Sequence, residues 1–242
     1  GWRQAFLGIA LLPLLVALPV VIALFREPTT ADATPVMPAA SRAGVTVGAA
    51  LRDHRFWVIA GSILCVAIGV GGSITNFQPL LVDRGFEPRE AARFAGVIGL
   101  SVMAGRLVAG FLIDRFWAPA VTLPMLALPA LACFLLAQPE VAPSAAFLSA
   151  MLIGLAAGAE TDLVAYLTVR YFGLANYGRL YGLQYSIFGF ASGLSPFLFG
   201  KVFDVTGSYQ PILYVAAVLF VVGAVSLLTL GRYPRFDESA AA

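Results

Sequence analysis

Charge is what this sequence has least of. Only 12% of its 242 residues are Asp, Glu, Lys or Arg, against roughly 25% in soluble domains. Cysteine occurs twice, as Cys65 and Cys133, each inside an apolar run. Both read as small buried hydrophobes and leave the redox compartment open. There is one histidine, His54, and one lysine, Lys201. A serine–histidine dyad or a histidine metal cluster within a membrane is thereby excluded. The lysine sits at the outer end of an apolar segment, not at the middle where a retinal-type receptor needs one. No Gly-x-x-x-x-Gly-Lys-Ser/Thr loop is present, so direct ATP use is not encoded. Glu160 and Asp162 are two apart on one helix and do not face each other as an aspartyl dyad would. We therefore expect no enzyme, no cofactor and no metal. The net charge is only +2 and the basic residues are scattered among loops, which makes nucleic acid no partner.

What is present is apolar. The chain is 60% hydrophobic with a mean hydropathy of +0.89. Over this length that describes a polytopic membrane protein, with the lipid bilayer as its first partner. A spanning helix needs roughly 20 apolar residues, and we read seven such segments, at 4–25, 56–82, 90–113, 119–137, 144–168, 179–202 and 210–230. Turn chemistry separates them, as at Asp83-Arg84-Gly85, Gln138-Pro139, Phe172-Gly173 and Thr206-Gly207-Ser208. A Pro/Ala/Thr-rich linker, 26–47, follows the first span, and Ala49–Arg55 reads as a short interfacial helix. Nine basic residues fall on one side: Arg26, Arg42, Arg52, Arg55, Arg115, Arg170, Arg179, Arg232 and Arg235. Five fall on the other: Arg3, Arg84, Arg89, Arg93 and Lys201. The positive-inside rule then puts the linker and the C-terminus in the cytoplasm.

One helix, a long linker and six helices with short connections is the layout of one half of a transporter built from two six-helix halves. The chain opens on Gly1 and runs into an apolar segment within four residues, so we read it as part of a longer polypeptide. Small residues offer close helix contacts at Gly71-Gly72, at Gly154 and Gly158, and at Gly189 and Gly193.

The stretch AGRLVAGFLIDRF, ending the second helix of the six, resembles the Gly-Arg-x-x-x-Gly-x-x-x-Asp-Arg signature of the major facilitator superfamily. FQPLLVDRGFEPREAARFAG is similar to the junction between the first and second of these six spans in its bacterial members, and GSYQPILY to the start of the last helix. The resemblance covers the whole chain. It implies an all-α membrane protein: a six-helix half of a major-facilitator-type transporter plus one preceding helix. Residues 1–25 would be the last transmembrane helix of a missing N-terminal six-helix half, and 26–55 a cytoplasmic linker with a short interfacial helix. Residues 56–231 would be the six-helix C-terminal half, and 232–242 a cytoplasmic tail. It further implies a bacterial inner (plasma) membrane and a secondary transporter. That transporter would move a small-molecule solute by alternating access, as symporter or antiporter. The alternative is a seven-helix receptor or sensor without transport.

Within the superfamily the chain looks most like the monocarboxylate/oxalate–formate porter group. There, an arginine in this helix with a glycine four residues on is associated with binding a substrate carboxylate. Arg106 and Gly110 match. Eukaryotic porters of the group carry an acid four residues before the arginine, where this chain has Val102.

The residues themselves leave two readings of Arg106. It pairs a carboxylate bidentately, or it snorkels inward or pairs an acid on a neighbouring helix. It lies about 12 Å before Asp114 at the helical rise of ~1.5 Å. Asp114 and Arg115 read as part of a cytoplasmic gate or as an interfacial pair. Glu160 and Asp162, in the inner third of their span, read as an ion cluster with Arg115 and Arg170, or as a proton-coupling pair. Asn76, Gln184 and Tyr185 are candidates to line a solute cavity.

Overall fold

Helix boundaries in this computed structural model follow from local chemistry. It describes residues 11, 15, 18–24, 43–234 and 236. The chain divides into two units, 1–39 and 40–242. Within the first, α1 (Leu18–Leu24) is a short apolar helix, LPVVIAL, whose Leu18, Val20 and Ile22 are exposed. Most of the expected first span, and the expected linker up to residue 42, lie outside the described residues.

The second unit starts with α2 (Val47–Arg52), capped by Thr46, whose side chain accepts from Ala49 N at 3.3 Å. Asp53 then serves two helices. Its N–H closes α2 on the Ala49 and Ala50 carbonyls, and its carboxylate caps α3 (His54–Asp83) by accepting from Arg55 N at 2.9 Å. An Asp at an N-cap supplies the acceptor that the first turn of a helix lacks. The remaining helices are α4 (Pro88–Ile113), α5 (Ala118–Leu136), α6 (Pro143–Phe172), α7 (Tyr177–Thr206) and α8 (Gln210–Ser226), with a 3₁₀ turn over Leu227–Leu230. Proline at the first turn of α4, α5, α6 and α8 marks four of these starts, since its missing N–H is needed nowhere there.

Among the described residues six helices, α3 to α8, the last taken with its 3₁₀ turn to Leu230, are long and apolar enough to cross a membrane. They match the expected spans to within a few residues. The protein is a multi-pass integral membrane protein, all α, and the short helix α2 overlaps the stretch Ala49–Arg55 expected to be helical.

Lipid tails are as apolar as leucine, so helices in a bilayer gain little from hydrophobic burial against each other. Close packing and interhelical hydrogen bonds hold them instead. The tightest seam joins α4 to α6, where Gly105 lies against the Leu155 carbonyl and Gly154 against Ile98 and Ser101. Gly158 lies against the Val102 carbonyl. A methyl group at any of the three would collide with backbone or Cβ atoms of the other helix. On α3, Gly71 and Gly72 admit Ser192, Ser195 and Phe199 of α7, and Ser195 Oγ donates to Ile68 O. Ser62 Oγ donates to Gly223 O of α8 at 2.8 Å, and Ser149 Oγ to Ala132 O of α5 at 3.4 Å.

The seams run α4–α6–α5–α8–α3–α7, and α3 and α6 also pack on each other. α3 and α6 are the most buried spans, while α4 and α7 are the least. The bundle is thus left open along α4 and α7. Gly189 and Gly193, expected as a helix-packing notch, meet nothing within 4 Å of an added Cβ. They lie on the uncovered side of α7, and among the described residues no helix fills the notch.

Candidate functional site

Arg106 is exposed on α4, and among the described residues it makes no hydrogen bond or ion pair. Its backbone is fixed from behind. The Cβ that Gly158 lacks would lie 3.0 Å from Arg106 N, so α6 presses directly on the turn that carries the guanidinium. Among the described residues, no acid on a neighbouring helix pairs with Arg106. A cation on a spanning helix needs a partner, a hydrated cavity or a ligand.

The other expected cavity residues are placed differently from one another. Asn76 is half-buried and spends its amide on its own helix, donating to Gly72 O at 3.0 Å. Gln184 is fully buried between α7 and α6. Its Oε1 lies 2.7 Å from Thr168 Oγ1, a hydroxyl it shares with Val164 O, and its Nε2 has no partner among the described residues. It is thus turned into the bundle, away from the open face. Tyr185 is exposed and belongs to a ladder missed in the sequence. Tyr177, Tyr181, Tyr185 and Phe188 follow one edge of α7, with successive ring centroids 5.5, 5.8 and 5.3 Å apart. Their spacing of four, four and three residues was the available signal. At the same end an apolar groove of about 420 Å³ opens between α3 and α7, lined by Leu51, Phe56, Trp57, Leu183, Ile187 and Phe190 among others.

The expected ion cluster does not assemble within this chain. Asp114 and Arg115 are exposed, and the Arg115 guanidinium lies over the Phe111 ring at 3.6 Å while donating to Phe111 O. Arg170 lies over the rings of Tyr233, at 4.5 Å, and Tyr166, at 5.7 Å. Asp162 is half-buried, and Glu160 is buried with its Oε1 unpartnered among the described residues. Among the described residues the sole ion pair is His54–Asp53, at 3.3 Å.

A cation–aromatic cluster takes the place of the ion cluster at the end of the bundle near Tyr171 and Tyr233. Tyr171 packs against Tyr233, with centroids 5.2 Å apart, and its hydroxyl donates to Gly231 O at 2.7 Å. Arg55 lies 5.4 Å from the Tyr171 ring, and the Tyr233 hydroxyl accepts from Ala118 N at 2.9 Å. Burial pushes the Tyr233 hydroxyl up from its ordinary value, and its contacts with Ala118 and Arg170 act the other way. Cation–π contact satisfies an arginine without an acid. Beside it, residues 43–45 clip onto the α6–α7 loop. Val45 N donates to Phe172 O, Leu174 N to Ala43 O, and Asn176 Nδ2 to Val45 O, at 3.0, 3.0 and 2.9 Å. The clip needs two glycines. Gly173 has φ +75°, and Gly44 lies too close to Phe172 O and Ala175 N for a side chain.

The open face, the lone arginine and the six spans meet one sequence family. The Major Facilitator Superfamily model matches residues 1–196. The chain belongs to the Major Facilitator Superfamily. It is 27% identical over 242 residues to "Monocarboxylate transporter 13" of Bos taurus, covering 98% of this chain and 54% of that protein. Among solved structures, the fucose:proton symporter of E. coli matches with a TM-score of 0.64 and 18% identity, over 95% of this chain and 55% of that one. A bacterial homolog of the human lysosomal transporter Spinster, in an inward-facing unoccupied conformation, matches with a TM-score of 0.51 and 19% identity. It is covered to 57% by 95% of this chain. The chain spans about half the length of the proteins it matches. At these identities the structural likeness establishes the Major Facilitator fold of this half.

Proposed function

We propose that this chain is the C-terminal half of a secondary transporter that moves a small organic anion, a monocarboxylate in the first instance. The observation that carries the reading is Arg106, exposed on the spanning helix α4 with no acid paired to it among the described residues. A guanidinium is permanently charged and presents a planar fork that fits a carboxylate bidentately. The likeness to a monocarboxylate transporter of Bos taurus points to the same cargo class. Asn76 and Tyr185 would line the path, with Gln184 holding α6 and α7 together behind it.

The open side of α4 and α7 would face the N-terminal six-helix half. Gly189 and Gly193 on α7, and Gly96 and Gly99 on α4, have room for a close-packed partner helix. Asp114 and Arg115, exposed at the inner end of α4, would pair across that interface in one conformational state and separate in the other. Two halves rocking about a central site give alternating access, driven by an ion gradient or by exchange. The excess of basic residues on that side supports a cytoplasmic linker and C-terminus.

The test is counterflow. Full-length protein reconstituted into vesicles preloaded with an unlabelled carboxylate should take up the labelled one. A panel of lactate, pyruvate, oxalate and formate, against a neutral sugar and an amine, fixes the class. Uptake of the sugar or amine alone would sink the anion reading.

A further inference from the structure

The first few turns of α3 and α7 leave an apolar groove of about 420 Å³ between them. Leu183, Ile187 and Phe190 line it from α7, and Trp57 and Leu64 from α3. Phe56 also lines it, buried and packed edge-on against Phe172 with ring centroids 6.2 Å apart. The two side-chain polar groups in the lining are both satisfied within the chain. Ser186 Oγ donates to Gly182 O of its own helix at 2.8 Å. Trp57 Nε1 donates to Leu51 O at 2.9 Å, which holds the end of α2 at the groove. Nothing in the walls asks for a polar occupant.

The depth of the groove fits one leaflet. On α7, Arg179, Leu183, Ser186, Ile187 and Phe190 fall at i, i+4, i+7, i+8 and i+11, so they share one helix face. From Arg179 to Phe190 is roughly 16 Å at the helical rise of ~1.5 Å per residue. The hydrocarbon core of a bilayer is about 30 Å thick, so the stripe runs from its boundary to about its middle. Trp57 stands near the start of α3, 59% exposed, where an indole with an apolar body and a polar N–H suits the membrane boundary.

The polar end of the stripe is positive. Arg179 is exposed one turn before Leu183, and Arg52 is exposed next to Leu51. Neither forms an ion pair among the described residues. Asp53, the acid adjoining Arg52, is committed elsewhere. Its carboxylate accepts from Arg55 N at 2.9 Å and pairs with His54 at 3.3 Å. A plain apolar helix laid in the groove would cover the walls and leave both guanidiniums unanswered. A molecule with an anionic head and an apolar chain answers both, since a guanidinium fork fits the oxygens of a phosphate.

We propose that the α3–α7 groove is a binding site for an anionic phospholipid of the leaflet at the start of these two helices. Arg52 and Arg179 hold the phosphate, and one acyl chain lies along Leu183, Ile187 and Phe190. The site is independent of the cargo that Arg106 meets. It stands or falls whichever solute the transporter carries.

Photo-crosslinking in the full-length protein tests it. A p-benzoylphenylalanine in place of Leu183 is irradiated in vesicles of phosphatidylglycerol and phosphatidylethanolamine in equal parts, and the adducts are weighed by mass spectrometry. Phosphatidylglycerol adducts should clearly exceed those of phosphatidylethanolamine. The same probe in place of Val218, exposed on α8, should take the two lipids equally. Arg52→Gln with Arg179→Gln should remove the preference at Leu183, each arginine being worth roughly fivefold near an anionic surface. Ser186→Trp, which puts an indole into the groove and keeps both arginines, should lower the adducts of both lipids. All three side chains are exposed, so the variants should unfold at the wild-type temperature in detergent. Equal labelling by the two lipids at Leu183, or a preference unchanged in the double arginine variant, overturns the proposal. Lipid adducts undiminished in Ser186→Trp also overturn it. Cross-links from Leu183 to protein in place of lipid overturn it too, and would put another segment of the full-length chain in the groove.

Discussion

At the scale of single residues, the account turns on Arg106 and on what lies behind it. Among the described residues nothing neutralises this guanidinium, yet its backbone is pinned by Gly158 on α6. Gly158→Leu would push a side chain into the Val102 carbonyl and part α4 from α6. Overpacking of this kind costs about 1–3 kcal/mol, and we expect a lowered unfolding temperature of the full-length protein in detergent. An unchanged unfolding temperature would mean the seam is looser than described. Tyr233 is a second residue whose work is local. Its hydroxyl accepts from Ala118 N, and Tyr233→Phe should lose about 0.5–1.5 kcal/mol, the net worth of one hydrogen bond. The ring and its contact with Arg170 would remain. Hydrogen exchange at Ala118, faster in the variant, is the direct readout.

At the scale of elements, the spans were legible and their company was not. Hydropathy and turn chemistry place α3 to α8 within a few residues, because a spanning helix must be both long and apolar and its breaks need Gly, Pro or charge. The seam of Gly154 and Gly158 was legible too, since small residues four apart mark one helix face. The same pattern at Gly189 and Gly193 has no partner within the chain, and spacing alone does not say which helix approaches. The charged cluster was read from shared depth. Depth does not fix direction around a helix, and Arg115 and Arg170 turn to aromatic rings while Glu160 turns inward. The clip between residues 43–45 and the α6–α7 loop was invisible, because it joins segments far apart in sequence through backbone atoms. Gly173→Ala tests it. A side chain at φ +75° and ψ −171° costs about 1–3 kcal/mol, and here it also meets Ala43 O and Gly44 Cα. We expect faster proteolysis and amide exchange over residues 43–46, with α6 and α7 unaffected.

At the scale of the whole molecule, the two least buried spans are the two that border the open face. That asymmetry is what a half-transporter should show if α4 and α7 meet a second half. Produced together with the upstream six-helix half, this chain should co-purify with it, and Gly189→Leu with Gly193→Leu should weaken the association. Equal recovery with and without those leucines would place the interface elsewhere. Sequence family and fold settle the superfamily, and the cargo rests on one side chain. The most direct measurement compares wild type with Arg106→Lys in vesicle counterflow of a labelled small carboxylate, at matched expression and unfolding temperature. Lysine keeps the positive charge and removes the bidentate fork. The account predicts carboxylate counterflow in the wild type and its loss in Arg106→Lys. Counterflow at the wild-type rate in the lysine variant would contradict it.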